Sequence, residues 1–131
     1  MTAIPIGATL ESQVLVTSDL AISFLGNDAA RVLGTPWLIL HLEMVSRNTV
    51  KPYLSDAEDT VGTQVNVKHL AATPMGMEAR FRAEVIAVEG RRVTFRVEAY
   101  DATEKTAEGT HERFIIDIAR FAERVQAKQR A

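Results

Sequence analysis

The chain has 131 residues, of which 47% are hydrophobic and 24% charged, and it carries a net charge of −2. That length and balance fit one globular domain spanning residues 1–131, and they exclude both a disordered chain and a nucleic-acid binder relying on backbone electrostatics. Without a single cysteine, disulfides, thiolate catalysis and cysteine-ligated zinc are excluded together.

The opening MTAIPIGATLESQ has neither a basic start nor a long apolar run, so it does not read as a signal peptide. No stretch approaches the length of a membrane span, and the cytoplasm is the expected location. SQVLV (12–16) reads as a first strand. Residues 17–34 are mixed: Thr17, Ser18 and Asp19 suit a cap or turn, and Gly26-Asn27 is a break. Thr35-Pro36 then reads as a helix start, because proline at the first helical position gives up only an amide that is unpaired anyway. From there Trp37, Leu38, Ile39, Leu40, Leu42, Met44 and Val45 cover most of the helical circumference. The pattern predicts a helix running to Val50, buried nearly all round and stopped by Pro52.

After residue 60 the chain alternates like strands until its last segment. TVGTQVNVKHL (60–70) is one, with Val65, Val67 and His69 on the side expected to be buried. In 77–90, Phe81, Ala83, Val85 and Ala87 alternate with Arg80, Arg82, Glu84 and Ile86, and in 91–101 Val93, Phe95, Val97 and Ala99 alternate with Arg92, Thr94, Arg96 and Glu98. Glu89-Gly90 between them signals a tight hairpin. Residues 106–118 form another strand, and Asp117 caps a terminal helix with Ile118, Phe121 and Val125 on one face. One buried helix against an antiparallel sheet gives an α+β domain; a doubly wound fold would need helices between the later strands.

Three residues sit where their elements should be apolar or capped: Thr35 at the helix start, Glu43 between Leu42 and Met44, and His69 at a strand end. Thr35 and Glu43 are eight positions apart, roughly 12 Å along the axis. They can share a helix face and address one ligand, but they cannot touch. Each also has a purely structural reading: a cap for Thr35, an ion pair with Arg47 at i+4 for Glu43, a satisfied strand-end ring for His69. His41 and His111 take the structural reading more readily. No histidine or carboxylate spacing suits a metal, and no glycine-rich phosphate loop or nucleophile elbow is present, so no cofactor is called for.

Taken together, HLAATPMGMEARFRAEVIAVEGRRVTFRVEAYD and GTHERFIID resemble the hot-dog thioesterases, most closely the fluoroacetyl-CoA thioesterase group, over roughly residues 10–128. The resemblance implies a curved antiparallel sheet wrapped around a long central helix, assembled as a homodimer, with further pairing to tetramers left open. It also implies hydrolysis of a small acyl-CoA thioester to free acid and CoA, with no nucleic-acid or membrane partner. Thr35, Glu43 and His69 match the group's catalytic threonine, glutamate and histidine. Glu43 would act as base or nucleophile, His69 would orient or protonate, and Thr35 would bind the acyl group or a water. Gly62 matches the group's active-site glycine and Arg113 the arginine of T-H-E-R. Trp37 and the amides that follow it are candidates to polarise the thioester carbonyl. Arg80, Arg82, Arg91, Arg92 and Arg96 are candidates for the CoA phosphates, or simply solvated outer-face charges. The group's aromatic lid positions, counted back from Thr35 without gaps, fall on Gly26 and Ala29 with Phe24 nearby, which implies a related but different acyl group. A non-catalytic acyl-CoA or small-ligand binding protein on the same fold is the alternative, and a purely structural dimer module is a third.

Overall fold

A computed structural model describes residues 3–131; Met1 and Thr2, where the reading of the chain's opening begins, lie outside the described residues. The elements are β1 (Thr9–Leu15), α1 (Thr35–Val50), β2 (Glu58–His69), β3 (Glu78–Glu89), β4 (Arg92–Tyr100), β5 (Lys105–Asp117) and α2 (Ile118–Arg130), with short 3-10 turns at 18–20, 28–30 and 51–53. The five strands form one antiparallel sheet in the order β1-β3-β4-β5-β2, which leaves β1 and β2 at the edges. Helix α1 lies across one face of this sheet. The α+β reading therefore holds, and no helix interrupts the strands after residue 60.

Alternation decides which face meets the helix. In β4, Val93, Phe95, Val97 and Ala99 are all fully buried, and Phe81, Ala83 and Val85 of β3 join them. They pack with Leu38, Leu42, Val45 and Val50 of α1 into one core. Fully burying a side chain such as Phe81 or Phe95 stabilises by roughly 1.5–3 kcal/mol. β3 and β4 are joined by the two-residue turn Gly90–Arg91, with Gly90 at φ +62°, a conformation that favours glycine at the first position of the turn.

Two bulges shift the alternation. β3 slips register between Val85 and Ala87, so beyond it Val88 faces inward opposite Val93 and Ala87 does not, contrary to the simple pattern. β2 slips between Gly62 and Gln64. Gly62 and His69 are an odd number of residues apart, so in a regular strand they would point to opposite faces. The extra residue, Thr63, restores them to the same face. Its hydroxyl is held outside by the Glu112 carbonyl and carboxylate, at 3.2 and 2.6 Å.

Helix α1 departs from the expectation of burial nearly all round. Trp37, Leu40 and Met44, spaced i, i+3, i+7, remain 41%, 43% and 40% exposed. Its buried hydroxyls are satisfied on the helix itself: Ser46 donates to the Leu42 carbonyl at 2.8 Å and Thr49 to that of Val45 at 2.6 Å. The helix ends at Val50 and Pro52 sits in the following 3-10 turn, as expected. Asp117 caps α2 by accepting the Arg120 amide at 3.0 Å. Among the described residues, no helix is long and apolar enough to cross a membrane.

Candidate active site

The start of α1 is built differently from a capped helix. Gly34, not Thr35, is the N-cap residue, and Thr35 is the first helical position. Its hydroxyl therefore has no capping duty. It lies 2.8 Å from Nδ1 of His69. The neighbouring amides are not free either: those of Trp37 and Leu38 both donate to the Gly34 carbonyl, at 3.1 and 3.0 Å. This tight first turn removes them as donors to a substrate carbonyl, a correction to the expectation for Trp37 onward. The Trp37 indole instead stands partly exposed, its Cδ1 3.3 Å from where a Cβ on Gly34 would be.

His69 ends β2 on the inner face. Burial pushes its imidazole below its ordinary value near 6.5, opposed in part by the nearby Ala71 backbone. Ala71 stays outside hydrogen-bond geometry, and Nε2 is buried without a partner. A neutral ring accepting at Nδ1 from the Thr35 hydroxyl carries its proton on that Nε2. Val65, on the same face, is 39% exposed rather than buried, because β2 is an edge strand with no neighbour beyond it. Thr35 and His69 open onto a cavity of about 330 Å³ whose walls include Ile22, Phe24, Val32, Leu33 and Leu70.

Glu43 is not among the residues lining that cavity. Two turns further along α1, its carboxylate meets a second group of residues from β2 and β5. Nη1 of Arg113 is 3.5 Å from Glu43 Oε2. The guanidinium is otherwise fixed from behind: Nε donates to Thr60 Oγ1 at 2.7 Å and Nη2 to the Thr60 carbonyl at 2.8 Å. Gly62 adjoins the carboxylate so closely that a Cβ there would stand 2.8 Å from Glu43 Oε2. The i+4 pairing of Glu43 with Arg47 does not form, since Arg47 is taken by Asp59 in a two-pronged pair at 2.9 and 2.6 Å.

His111 belongs to this second group, which sequence reasoning missed. Its Nδ1 is 2.8 Å from the Gln64 carbonyl, which can only accept, so Nδ1 carries the proton. Nε2 is then the acceptor for Arg113 Nη1 at 3.2 Å. Burial, the largest influence, pushes this imidazole down, helped by the adjacent guanidinium and opposed by the Gln64 carbonyl and the carboxylates of Glu43 and Glu112. By holding the Gln64 carbonyl, His111 also anchors the far side of the bulge that brings Gly62 to Glu43. The signal was present in β5, where His111 and Arg113 occupy inward positions between the buried Ala107 and Ile115. His41, by contrast, stacks on Phe81 with ring centroids 5.1 Å apart, a packing role.

The five arginines suggested for phosphates are engaged on their own chain. Arg82 reaches Glu84 and Glu98, Arg91 reaches Glu58, Arg92 reaches Glu112 and Arg96 reaches Glu84, all at 3.4–3.6 Å. Arg80 lies over the Tyr100 ring at 5.5 Å.

Residues 16–119 match the family of fluoroacetyl-CoA-specific thioesterases. A fluoroacetyl-CoA thioesterase from Streptantibioticus cattleyicolor is 37% identical over 97 residues, covering 74% of this chain and 70% of that one. A mutant of the fluoroacetyl-CoA-specific thioesterase, solved in complex with fluoroacetate and CoA, superposes with a TM-score of 0.82 at 31% identity, over 89% of this chain and 98% of that one. A thioesterase superfamily member from Thermus thermophilus superposes with a TM-score of 0.88 at 32% identity, over 99% and 97% of the two chains. On this sequence match, and on the sheet and helix that accompany it, the chain belongs to the fluoroacetyl-CoA-specific thioesterase family and is a thioester hydrolase of the hot-dog fold.

Proposed function

We propose that this thioesterase hydrolyses acyl-CoA thioesters in the cytoplasm as a homodimer, using Thr35, Glu43 and His69. The observation that carries the reading is the 2.8 Å contact between the Thr35 hydroxyl and a neutral His69 at the mouth of an apolar cavity. That pairing orients the threonine oxygen toward an acyl group or a water and leaves a proton on His69 Nε2. Glu43 is the base: it takes a proton from water as the water oxygen adds to the thioester carbonyl, while the neutral His69 donates a hydrogen bond from Nε2 to the developing oxyanion. When the C–S bond breaks, the proton held by Glu43 passes to the CoA thiolate, which restores the carboxylate. Arg113 supplies the counter-charge to Glu43, and Gly62 supplies the room in which the carboxylate sits.

The two groups are separated along one helix, and a second copy of the chain brings them together. The exposed stripe of Trp37, Leu40 and Met44 and the open edge of β2 offer a self-complementary face. Two antiparallel copies of α1 meeting on that stripe set Glu43 of one chain toward Thr35 of the other, with Trp37 beside the entering thioester.

The test is release of free thiol from acyl-CoA by wild type, Glu43→Gln, His69→Ala and Thr35→Ala. Loss of on the order of 100-fold or more in kcat is expected for Glu43→Gln and His69→Ala, with folding retained by circular dichroism. Undiminished activity in those two variants discards the assignment. Thermal stabilisation by acyl-CoA without thiol release would favour the binding protein instead. Light scattering of Leu40→Glu, expected to be monomeric, tests the interface.

A further inference from the structure

The wall of the cavity beside Thr35 and His69 is a small sheet of its own. The Ile22 amide donates to the Val32 carbonyl, the Gly34 amide to Leu20 and the Leu33 amide to Thr73, each at 2.9 Å. Arg31 ties the layers together. Its Nε donates to the Ile22 carbonyl at 3.1 Å, Nη1 to Ser18 Oγ at 3.0 Å, and Nη2 to the carbonyls of Ser18 and Ala21 at 2.7 and 3.2 Å. The guanidinium is thereby committed to backbone and hydroxyl oxygens. Its carbonyl accepts the Met75 amide at 3.0 Å, closing the wall against the chain that follows β2. The surface is thus formed before any ligand arrives, and ordering it costs a ligand little.

Hydrocarbon predominates in this wall, with polar atoms from Thr35, His69 and the backbone between. Ile22, Phe24, Val32, Leu33 and Leu70 supply hydrocarbon, and none of the lining side chains is a carboxylate, a lysine or an arginine. Its polar side chains, Thr35 and His69, are bonded to each other through Nδ1, which leaves the neutral Nε2 N–H as one donor without charge. A carboxylate carried on an acyl chain would give up part of its hydration against this wall and meet no cation. The hollow, about 330 Å³ and open on one side, has room for an acyl chain longer than acetyl or fluoroacetyl.

From this geometry we infer that the acyl group is an uncharged aliphatic chain of about four to eight carbons. The inference rests on the thioesterase reading and adds the substrate class to it. Each methylene buried against the wall strengthens transition-state binding about fourfold, so butyryl, with two more, gains roughly fifteenfold over acetyl.

The experiment measures kcat/KM for acetyl-, butyryl-, hexanoyl- and succinyl-CoA by thiol release. Butyryl- and hexanoyl-CoA are expected to exceed acetyl-CoA at least tenfold. Succinyl-CoA, which has butyryl's chain length with a terminal carboxylate, is expected to fall at least 100-fold below butyryl-CoA. Acetyl-CoA matching or exceeding butyryl-CoA, or succinyl-CoA within tenfold of it, overturns the inference and leaves the thioesterase reading standing. Hydrolysis of none of the four overturns both. Ile22→Lys, which places a cation in the wall, is expected to raise the succinyl-to-butyryl ratio at least tenfold. Phe24→Ala, at an exposed position on the rim, is expected to lower the hexanoyl-to-acetyl ratio in a chain whose fold is unchanged. An unaltered ratio in both variants counts against the wall as the selecting surface.

Discussion

The two ends of α1 handle polar groups in opposite ways. At its start, Thr35 and His69 form one hydrogen bond at the edge of a hydrocarbon cavity, and His69 Nε2 is left without a partner. Two turns on, the Arg113 guanidinium reaches Thr60 twice, His111 and Glu43, while the partly exposed Glu43 carboxylate has that one contact, at 3.5 Å. The contrast separates a hydrogen-bonded pair with one donor left over from a cation that the protein has fully paired, which holds the carboxylate in place and leaves it open to water. A buried guanidinium must be fully paired in the folded chain, whereas one unpaired imidazole nitrogen at a cavity edge can await a substrate.

The sharpest way to break this contrast is Arg113→Met. Removing a cation that is only 6% exposed leaves Glu43, Thr60 and His111 without their common donor. A loss of about 3 kcal/mol in denaturant unfolding is expected, at the low end for a broken buried pair because the Glu43 side chain is 33% exposed. A loss no larger than a surface substitution gives would show that the cluster is not structural. Gly62→Ala probes position rather than charge. The added methyl pushes the flexible end of Glu43 aside, so kcat/KM should fall on the order of 100-fold while the melting temperature changes little. Activity within a factor of three of wild type would mean that the carboxylate's seat is unimportant.

Acid sharpens the contrast on a smaller scale. Burial lowers the His41, His69 and His111 imidazoles from 6.5, so each binds protons more readily in the unfolded chain than in the folded one. Stability is therefore present in full above about pH 6.5 and declines as pH falls through the lowered folded values. Denaturant midpoints at pH 7.5 and 5.0 should show the decline, and His111→Gln should flatten it. An identical slope in that variant would remove His111 as a contributor. The smallest effect is expected from Arg96→Ala on the outer face, whose pair with Glu84 is solvent-exposed. Stability should move by less than about 0.5 kcal/mol and KM for acyl-CoA should not change. A tenfold rise in KM would return Arg96 to the list of phosphate ligands.

Much of this arrangement is legible in the residues. β4 keeps perfect alternation, Asp117 and Gly90 announce the helix cap and the hairpin, and Thr35, Glu43 and His69 stand out as polar groups in apolar settings. What stays hidden has definite causes. β1 begins at Thr9 rather than Ser12 because Thr9, Leu10 and Glu11 are all exposed and leave no alternation to read. The β3 bulge disappears inside the unbroken apolar run Val85-Ile86-Ala87-Val88. In β2 the lone glycine at 62 was a usable sign of a bulge, but the regular pattern of Val65, Val67 and His69 conceals the change of phase before it. Thr35 looks like a cap because capping is what a threonine before a proline usually does; only the fold brings His69 to it from 34 residues away. The exposed stripe on α1 is invisible to periodicity, since an exposed apolar face and a buried one are both written in hydrocarbon.

The extra residue in β2 has a consequence for comparing chains of this kind. Deleting Thr63 would leave Gly62 and His69 an even number of positions apart, so a regular strand without the bulge would keep both on the inner face opposite the same partners. A second residue inserted at this point, by contrast, would need a second bulge to keep the imidazole beside the threonine. The parity of the count between glycine and histidine therefore has meaning only together with the number of bulges between them.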